Sequence, residues 1–295
     1  MAMLKTNNLT TQENIDLSDE ITVVAPTATP FMTLLMGKGR VEKADAKIFT
    51  WREKTLDFSD ATVAEGAETT NFVHSIRAEL NNVLEIFLKA TAVSGTAQAS
   101  LQASNDLFAS EIQDRLAEVK VAIEKKLING TKDDGSVSGV RKMDGLVNFI
   151  DAGNKFETAG AGVVTEKDIR GLARVLFEAG NENSEVYVLV SPDMKEDIDE
   201  LYKANYQYTH DTNDFGLVVS TINTNYGKLN FVVDRYMPDD KAIAFDINAV
   251  SVAFLRQPTY EALAKTGDSV KGQVVAEATL RVGSKKAVAE LTVKA

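Results

Sequence analysis

The chain contains no cysteine and only two histidines, His74 and His210. Without cysteine there can be no disulfide bond and no thiolate nucleophile, so stability must come from the burial of apolar surface. Two histidines are too few for a histidine-based zinc site. The sequence therefore predicts a protein with no cofactor and no metal centre.

Long apolar runs are also missing. The N-terminal stretch, MAMLKTNNLTTQENIDL, has no apolar segment of the kind found in signal peptides, and no later run approaches the ~20 apolar residues of a membrane span. We therefore expect a chain that is made and folded in a cytoplasm and has no membrane partner. With 44% hydrophobic residues over 295 positions, it can build one large core or two moderate ones.

Basic charge is scarce, because 32 Lys and Arg residues face 43 Asp and Glu residues for a net charge of -11. Tight binding of nucleic acid needs clustered Lys and Arg against the phosphates, so this balance argues against it. An acidic protein surface can still surround DNA without binding it tightly.

Motifs of catalysis are absent as well. There is no Gly-x-Ser-x-Gly, and Gly37-Lys38-Gly39-Arg40 lacks the spacing of a phosphate-binding loop, so it is interpreted as a turn. The segment 132–135, KDDG, is too short for an EF-hand, and a solvated turn is favoured over a weak calcium site. An enzyme with its site near Asp211 or Asp234 is the alternative from another class, but no constellation of acids supports it.

Isolated polar and aromatic residues have ordinary explanations. His74 and His210 are interpreted as solvated or simply hydrogen-bonded, rather than as interfacial pH sensors. Three tyrosines at the end of an amphipathic helix are expected to pack in a core or an interface rather than to stack on a ligand: Tyr202, Tyr206 and Tyr208.

The first strong positive signal is a helix predicted from Asn105 to Ile128. Its apolar residues recur at spacings of four and three: Phe108, Ile112, Leu116, Val119, Ile123 and Leu127. Ser104 or Asn105 can cap its start, and Gly130 is expected to supply a left-handed stop. At ~1.5 Å per residue, the helix spans about 36 Å and can serve as a spine. Val121 and Ile128 lie off the stripe, which suggests a second covered face.

The second signal is a period-two alternation from Ile76 to Ala90, preceded by the strand-like segment 48–56 and a polar loop tip at 61–71. Roughly fifteen residues at ~3.3 Å each would form a ribbon of about 50 Å, longer than an ordinary strand. We expect such a hairpin to overshoot its own domain and to be covered by another copy of the chain. The alternative is an ordinary strand inside a larger intramolecular sheet.

Charged side chains on this hairpin are the candidate interface residues. They are expected to pair across the strands and to fix register against a neighbouring copy: Arg52, Glu53, Lys54, Arg77, Glu79 and Glu85.

The remainder of the chain alternates helical and strand patterns. From residue 146 to 245 we predict an inserted α/β unit with a capping box at Thr165 and Asp168, a buried strand at 186–190, a helix opened by Pro192, and a hairpin around 223–227. Alternation in 274–282 and 287–293 predicts a terminal hairpin that covers the spine.

The order of these parts resembles the major capsid proteins of tailed bacteriophages, whose shell fold is named after phage Hong Kong 97. The matching features are an N-terminal arm, the long hairpin, the spine ending in Leu127-Ile128-Asn129-Gly130, and an inserted α/β unit. Two short sequences also match, Val-Ser-Gly-Thr at 93–96, as in the siphophage-type branch, and Gly-Leu-Val-Asn at 145–148.

The resemblance implies an α+β capsid fold and a division of the chain. The expected units are an arm at 1–44, an extended hairpin loop at 45–90, an axial domain at 146–245, and a peripheral domain from 91–145 and 246–295 that contains the spine. It further implies hexamers and pentamers that form an icosahedral shell around double-stranded DNA.

The same resemblance implies no enzymatic activity, and it implies a separate scaffolding protein and a portal. It places the protein in the virion after assembly in the cytoplasm of a bacterial host. An encapsulin-like protein nanocompartment belongs to the same structural class and remains the alternative, because either cargo can be enclosed by an acidic shell.

Overall fold

The computed structural model describes residues 28–59, 62–68, 70, 72–99, 107–181, 185–203 and 220–294. The helices of these residues are α1 (Pro30–Gly37), α2 (Gly95–Ala99), α3 (Leu107–Asn129), α4 (Glu166–Glu178) and α5 (Pro192–Lys203). Single turns of 3-10 helix lie at Leu146–Asn148, Ala152–Asn154 and Lys285–Ala287. The strands are β1 (Val41–Lys43), β2 (Ile48–Thr55), β3 (Ile76–Val83), β4 (Glu85–Ser94), β5 (Lys155–Glu157), β6 (Glu185–Val190), β7 (Thr221–Thr224), β8 (Gly227–Val233), β9 (Lys241–Asp246), β10 (Val250–Ala262), β11 (Ser269–Val282) and β12 (Val288–Thr292).

The predicted spine is α3. Its observed bounds are 107–129 rather than 105–128, and the predicted caps at Ser104 and Asn105 lie outside the described residues. Burial along the apolar stripe is uneven, because the C-terminal half is fully buried while the N-terminal half is only partly covered. Ile128 is fully buried off the stripe, which confirms that a second face of the helix is covered.

The end of α3 is closed by a close approach of two backbones. Gly130 does not have a positive φ, so the prediction that it ends the helix in a left-handed conformation is wrong. A Cβ on Gly130 would lie 2.5 Å from the carbonyl oxygen of Met143, and one on Gly145 would lie 2.4 Å from the nitrogen of Gly130. Gly145 N donates to Gly130 O at 3.0 Å. Both glycines are needed because no side chain fits between the two segments.

A four-stranded sheet in the order β1-β10-β11-β4 packs against α3. The strand predicted at 274–282 is confirmed as the second half of β11, but its predicted hairpin with 287–293 is wrong. The turn at Lys285–Ala287 redirects the chain, and β12 pairs with β9 and β5 in the other sheet. Alternation identifies a strand and its faces but does not specify its neighbour, which explains the error.

The second sheet has six strands in the order β5-β12-β9-β6-β8-β7. One face is covered by α4 and α5, whose apolar sides form a core with Val188 and Ala244. The opposite face carries Tyr187 and Phe245 into the larger core that contains α1 and α3. The capping box of α4 is confirmed, since Thr165 Oγ1 accepts from Asp168 N and Asp168 accepts from Thr165 N. The strand predicted at 186–190 and the hairpin predicted around 223–227 are confirmed as β6 and the β7–β8 pair, whose turn lies at 225–226.

The long ribbon predicted from Ile76 to Ala90 is two strands that belong to different sheets. β3 pairs with β2, whereas β4 pairs with β11 inside the four-stranded sheet. The break is Leu84, which is fully buried beside Ala44 and Ala253 and donates its N–H to Lys47 O at 3.0 Å. The prediction of one continuous ribbon is therefore wrong, and the intramolecular alternative holds for β4. β2 and β3 form a separate two-stranded hairpin, about 26 Å long at ~3.3 Å per residue.

Substitution of either close-packed glycine should destabilise the subunit. We expect Gly130→Ala or Gly145→Ala to lower the free energy of unfolding by roughly 2 kcal/mol or more, because the added methyl group forces backbone atoms apart. Urea unfolding followed by circular dichroism measures this change. Gly37→Ala is the matched control, since a Cβ there meets nothing within 4 Å. It should leave stability unchanged or raise it by up to about 1 kcal/mol. Equal effects of all three substitutions would contradict the assignment.

Candidate functional site

The β2–β3 hairpin ends in a tip, residues 56–75, that exposes apolar side chains. Phe58 is 88% exposed and Phe72 is 83% exposed, values unusual for phenylalanine in a monomer. The exposed apolar residues of the tip and the adjoining end of β3 are Leu56, Phe58, Val63, Phe72, Val73 and Ile76. Such a concentration in one segment is typical of surfaces that bind other molecules.

The tip is acidic as well as apolar. Its sequence contains no Lys or Arg, while Asp57, Glu65 and Glu68 carry negative charge on its described residues. Ser59 N donates to the Asp57 carboxylate at 2.9 Å, which holds the pKa of that group below its usual value and keeps it ionised. The tip is therefore complementary to a surface that is both basic and apolar.

The limbs of the hairpin carry four of the candidate interface residues on exposed positions. Arg52 lies directly opposite Glu79, and Lys54 lies directly opposite Arg77. No ion pair joins any of the four to another side chain within the described ranges, so the predicted pairing across the strands is not formed there. The juxtaposition of Lys54 and Arg77 is a like-charge pair, which is unfavourable in the free subunit.

The two remaining candidates serve the subunit itself. Glu53 accepts a hydrogen bond of 2.6 Å from Ser284 Oγ, which ties β2 to the turn after β11. Glu85 is buried and accepts from Met143 N at 3.0 Å. Its burial raises the pKa of the carboxyl, against the opposing effects of that hydrogen bond and of Lys126 and Lys142. Glu85 thus offers little surface to a neighbour.

The root of the hairpin is fixed by Asn82, which is fully buried. Its Nδ2 donates to the carbonyl oxygens of Asp144 and Leu280 at 3.0 and 2.8 Å, and its Oδ1 accepts from Asp144 N at 2.8 Å and from Val83 N at 2.9 Å. The side chain therefore connects β3 to β11 and to the loop after α3. Asn82 was not among the predicted functional residues. The available signal was an amide on the otherwise apolar face of the alternating strand.

A second buried polar site lies where α1 meets α3. The Glu124 carboxylate accepts from Phe31 N at 2.6 Å and from Met32 N at 2.8 Å, in the first turn of α1. Asp234, which the enzyme alternative named, is fully buried, and its Oδ1 accepts from Tyr236 N at 2.9 Å. Burial, followed by the hydrogen bond with Asp234 and the charge of Asp234, raises the pKa of Glu124 to about 8. Sequence reasoning missed Glu124, whose signal was a carboxylate next to Ile123 on the covered side of the spine.

The other candidates occupy ordinary positions. His74 is exposed at the tip beside Ser75, and Tyr202 is buried in the core under α5, as predicted. Tyr206, Tyr208, His210 and Asp211 lie outside the described residues. The segment 37–40 is a turn closed by Gly39 with φ of 69°.

The two carboxylates of the acidic loop at 133–134 accept hydrogen bonds from neighbouring residues. Asp133 accepts from Gly135 N and Ser138 Oγ, and Asp134 accepts from Ser136 N, which lowers both pKa values. Across the described ranges, no cluster of three or more His, Asp or Glu side chains is placed to hold a metal ion. Within those ranges, too, no helix has the length and apolar character needed to cross a membrane.

Comparison with protein families gives a match over nearly the whole chain. A family model described as SU10 major capsid protein matches residues 4–295. A search of curated proteins finds no match.

Solved structures of similar fold include phage capsids and an encapsulin. The capsid asymmetric unit of cyanophage A-1(L) is 14% identical, with a TM-score of 0.73, and the match covers 98% of each chain. The capsid of Myoviridae phage XM1 is 14% identical, with a TM-score of 0.65 over 96% of this chain and 98% of that one. The holo-SrpI encapsulin complex from Synechococcus elongatus PCC 7942 is 13% identical, with a TM-score of 0.65 over 100% and 96%. At these identities the likeness concerns the fold.

Removal of the Asn82 side chain should loosen the hairpin root. We expect Asn82→Ala to cost roughly 3 kcal/mol of unfolding free energy, because it leaves buried backbone groups of Asp144 and Leu280 without their partners. Thermal unfolding measures the loss, and faster hydrogen exchange in β2 and β3 locates it. Asn81→Ala is the control, since Asn81 is exposed and its side-chain oxygen accepts a hydrogen bond from Lys132 Nζ at the surface. It should change stability by no more than about 0.5 kcal/mol. An equal loss in both variants would refute the role given to Asn82.

Proposed function

The chain belongs to the SU10 major capsid protein family, and on that premise we propose that its copies assemble as hexamers and pentamers into an icosahedral shell around double-stranded DNA. The family is structural, so the protein is a capsid subunit of the virion and not an enzyme. Its fold is the α+β capsid fold of the Hong Kong 97 type. Its homo-oligomeric shell role rests on that membership.

The observation that supports the mode of assembly is the exposed hairpin tip. A two-stranded hairpin is marginally stable alone in water, and this one leaves two phenylalanines almost entirely uncovered. We propose that the tip lies on a neighbouring subunit, which buries these side chains and supplies basic groups to the acidic residues around them. Many such modest contacts then add up through closure of the shell.

The domain assignment that follows from the observed sheets differs in detail from the one expected from sequence. The peripheral unit would contain the four-stranded sheet and α3, so the hairpin loop would end at Leu84 rather than at Ala90. The axial unit would contain the six-stranded sheet, which includes β12 from the C-terminal segment. The arm at 1–44 would be anchored through α1.

The acidic composition supports a shell that does not bind its cargo tightly. With a net charge of -11, the wall repels the phosphates of packaged DNA and lets the duplex slide during filling. We propose that a separate scaffolding protein directs assembly in the host cytoplasm and that a portal occupies one vertex. An encapsulin-like compartment is the second candidate, favoured by the full-length likeness to the SrpI shell.

Electron microscopy and light scattering of the expressed full-length chain test this function. A capsid subunit should yield closed, megadalton particles, either alone or with a co-expressed scaffolding protein. Particles purified from an infected host should contain nuclease-protected DNA if the shell is a capsid, and packaged protein if it is a nanocompartment. A monomer or dimer under every condition would contradict both shell functions.

Charge reversal at Arg77 should separate folding from assembly. Because Arg77 faces Lys54, Arg77→Glu creates a favourable cross-strand pair and should leave subunit stability unchanged or raise it by up to about 1 kcal/mol. Particle yield should nevertheless fall at least tenfold if Arg77 meets an acidic group of a neighbour. Arg77→Lys, which keeps the charge, should assemble nearly as the unmodified chain does. Normal yield with Arg77→Glu would remove Arg77 from the interface.

Polar substitution at the tip should have the same selectivity. Phe72→Ser removes an exposed apolar side chain and should change the unfolding free energy by less than about 0.5 kcal/mol, while particle formation measured by sedimentation is lost or strongly reduced. Val137→Ser is the control, because Val137 is 97% exposed in a loop distant in sequence from the hairpin. Assembly unaffected by Phe72→Ser would show that the tip stays uncovered in the shell.

A further inference from the structure

The contact between α1 and α3 depends on a carboxylate in the core. Glu124 is fully buried, and its two oxygens receive the N–H groups of Phe31 and Met32. These N–H groups belong to the first turn of α1, where no preceding carbonyl can accept them. The Thr29 side chain makes no cap hydrogen bond, so Glu124 performs the cap from another helix.

Asp234 is the second carboxylate at this point, and it has one oxygen without a donor. Its Oδ1 accepts from Tyr236 N, whereas its Oδ2 is buried and receives no N–H or O–H from any described residue. Two ionised carboxylates cannot hydrogen-bond to each other, because both only accept. A proton on Glu124 supplies the missing donor to Asp234 and removes one of two buried negative charges.

No basic side chain compensates this pair within the described part of the chain. Residues 30–37 of α1 contain no ionisable side chain, and Lys120, one turn before Glu124 on α3, is exposed. Lys38 lies over the ring of Tyr187, and Lys125 lies over the ring of Tyr236. Arg235, next to Asp234, is exposed. The charge of Asp234 is therefore the one that acts on Glu124.

We propose that Glu124 and Asp234 form a proton-dependent latch, in which one shared proton strengthens the docking of α1 on α3 and loss of that proton weakens it. The latch acts at the point where the N-terminal segment joins the core. It is a property of the folded subunit and does not depend on the shell function proposed above.

The direction of the pH dependence follows from the shifted group. The pKa of Glu124 is about 8 when it is buried, against an ordinary value of 4.5 when α1 is released and the carboxyl is solvated. Docking is therefore strongest below pH 4.5, weakens as the pH rises, and reaches its minimum above about pH 8. Between pH 6 and pH 9 the docking equilibrium should fall by about 100-fold, since the protonated share of docked molecules drops over that interval.

Hydrogen exchange of the full-length, unassembled chain tests the latch. Protection factors, corrected for the intrinsic pH dependence of exchange, are measured for the amides of residues 33–37 between pH 6 and pH 9. We expect about a 100-fold loss of protection in α1, while amides of β11 keep theirs. Asp234→Asn should reduce the dependence, because its amide donates to Glu124 and leaves a single buried carboxylate in place of two.

Glu124→Gln gives an independent variant with no titrating group at this position. Its docking is expected to be weaker at every pH, since one amide oxygen replaces two acceptors, but equally weak at pH 6 and pH 9. A pH-independent α1 in the unmodified chain would overturn the proposal. An unchanged pH dependence in Asp234→Asn or Glu124→Gln would overturn it as well.

Discussion

The C-terminal half of α3 is buried in the larger core, which also contains residues of the four-stranded and six-stranded sheets, and the other elements depend on that burial. Val119, Ile123 and Leu127 pack in one core with residues from both sheets, so the helix completes the core that these two sheets share. α1 closes the same core, where the Phe31 ring packs edge-on against Phe245 with centroids 5.5 Å apart. The glycine contact after α3 and the cap that Glu124 provides to α1 fix the position of α3 along its axis and its rotation about that axis.

Stability of the subunit and assembly of subunits are carried by different residues. Several polar side chains of the core are buried and hydrogen-bonded, as in Asn82, Glu85 and Glu124. The hairpin limbs instead carry exposed charges without ion pairs among the described residues, and their tip carries uncovered aromatic rings. Because exposed ion pairs contribute only ~0.2–1 kcal/mol each, the limbs can be tuned for recognition at little cost to folding. Subunits that fold separately before they assemble into a shell benefit from this division.

Much of the architecture could be predicted from periodicity and capping, because those signals are local. The spine, the α4 capping box, β6 and the β7–β8 hairpin each follow from residues within one segment. Pairing between distant segments was not predictable, as the placement of β12 and the division of 76–90 at Leu84 show. An alternating strand continues with the same pattern whether it changes sheets or not, since the pattern records only which side is buried. Glu85 was expected on an exposed hairpin limb, and Glu124 was missed, because the burial of a carboxylate depends on tertiary packing that its own segment indicates only weakly.

Trp51 is the only tryptophan of the chain and lies in β2 at the root of the hairpin. Its ring is 5.8 Å from that of Phe149 and 6.1 Å from that of Phe49, and its indole N–H is buried without a partner among the described residues. An indole that is shielded from water emits fluorescence at shorter wavelengths than one that is exposed to water. The protein thus carries a native, single-site optical reporter, whose colour changes when β2 swings away from the core and water reaches the ring.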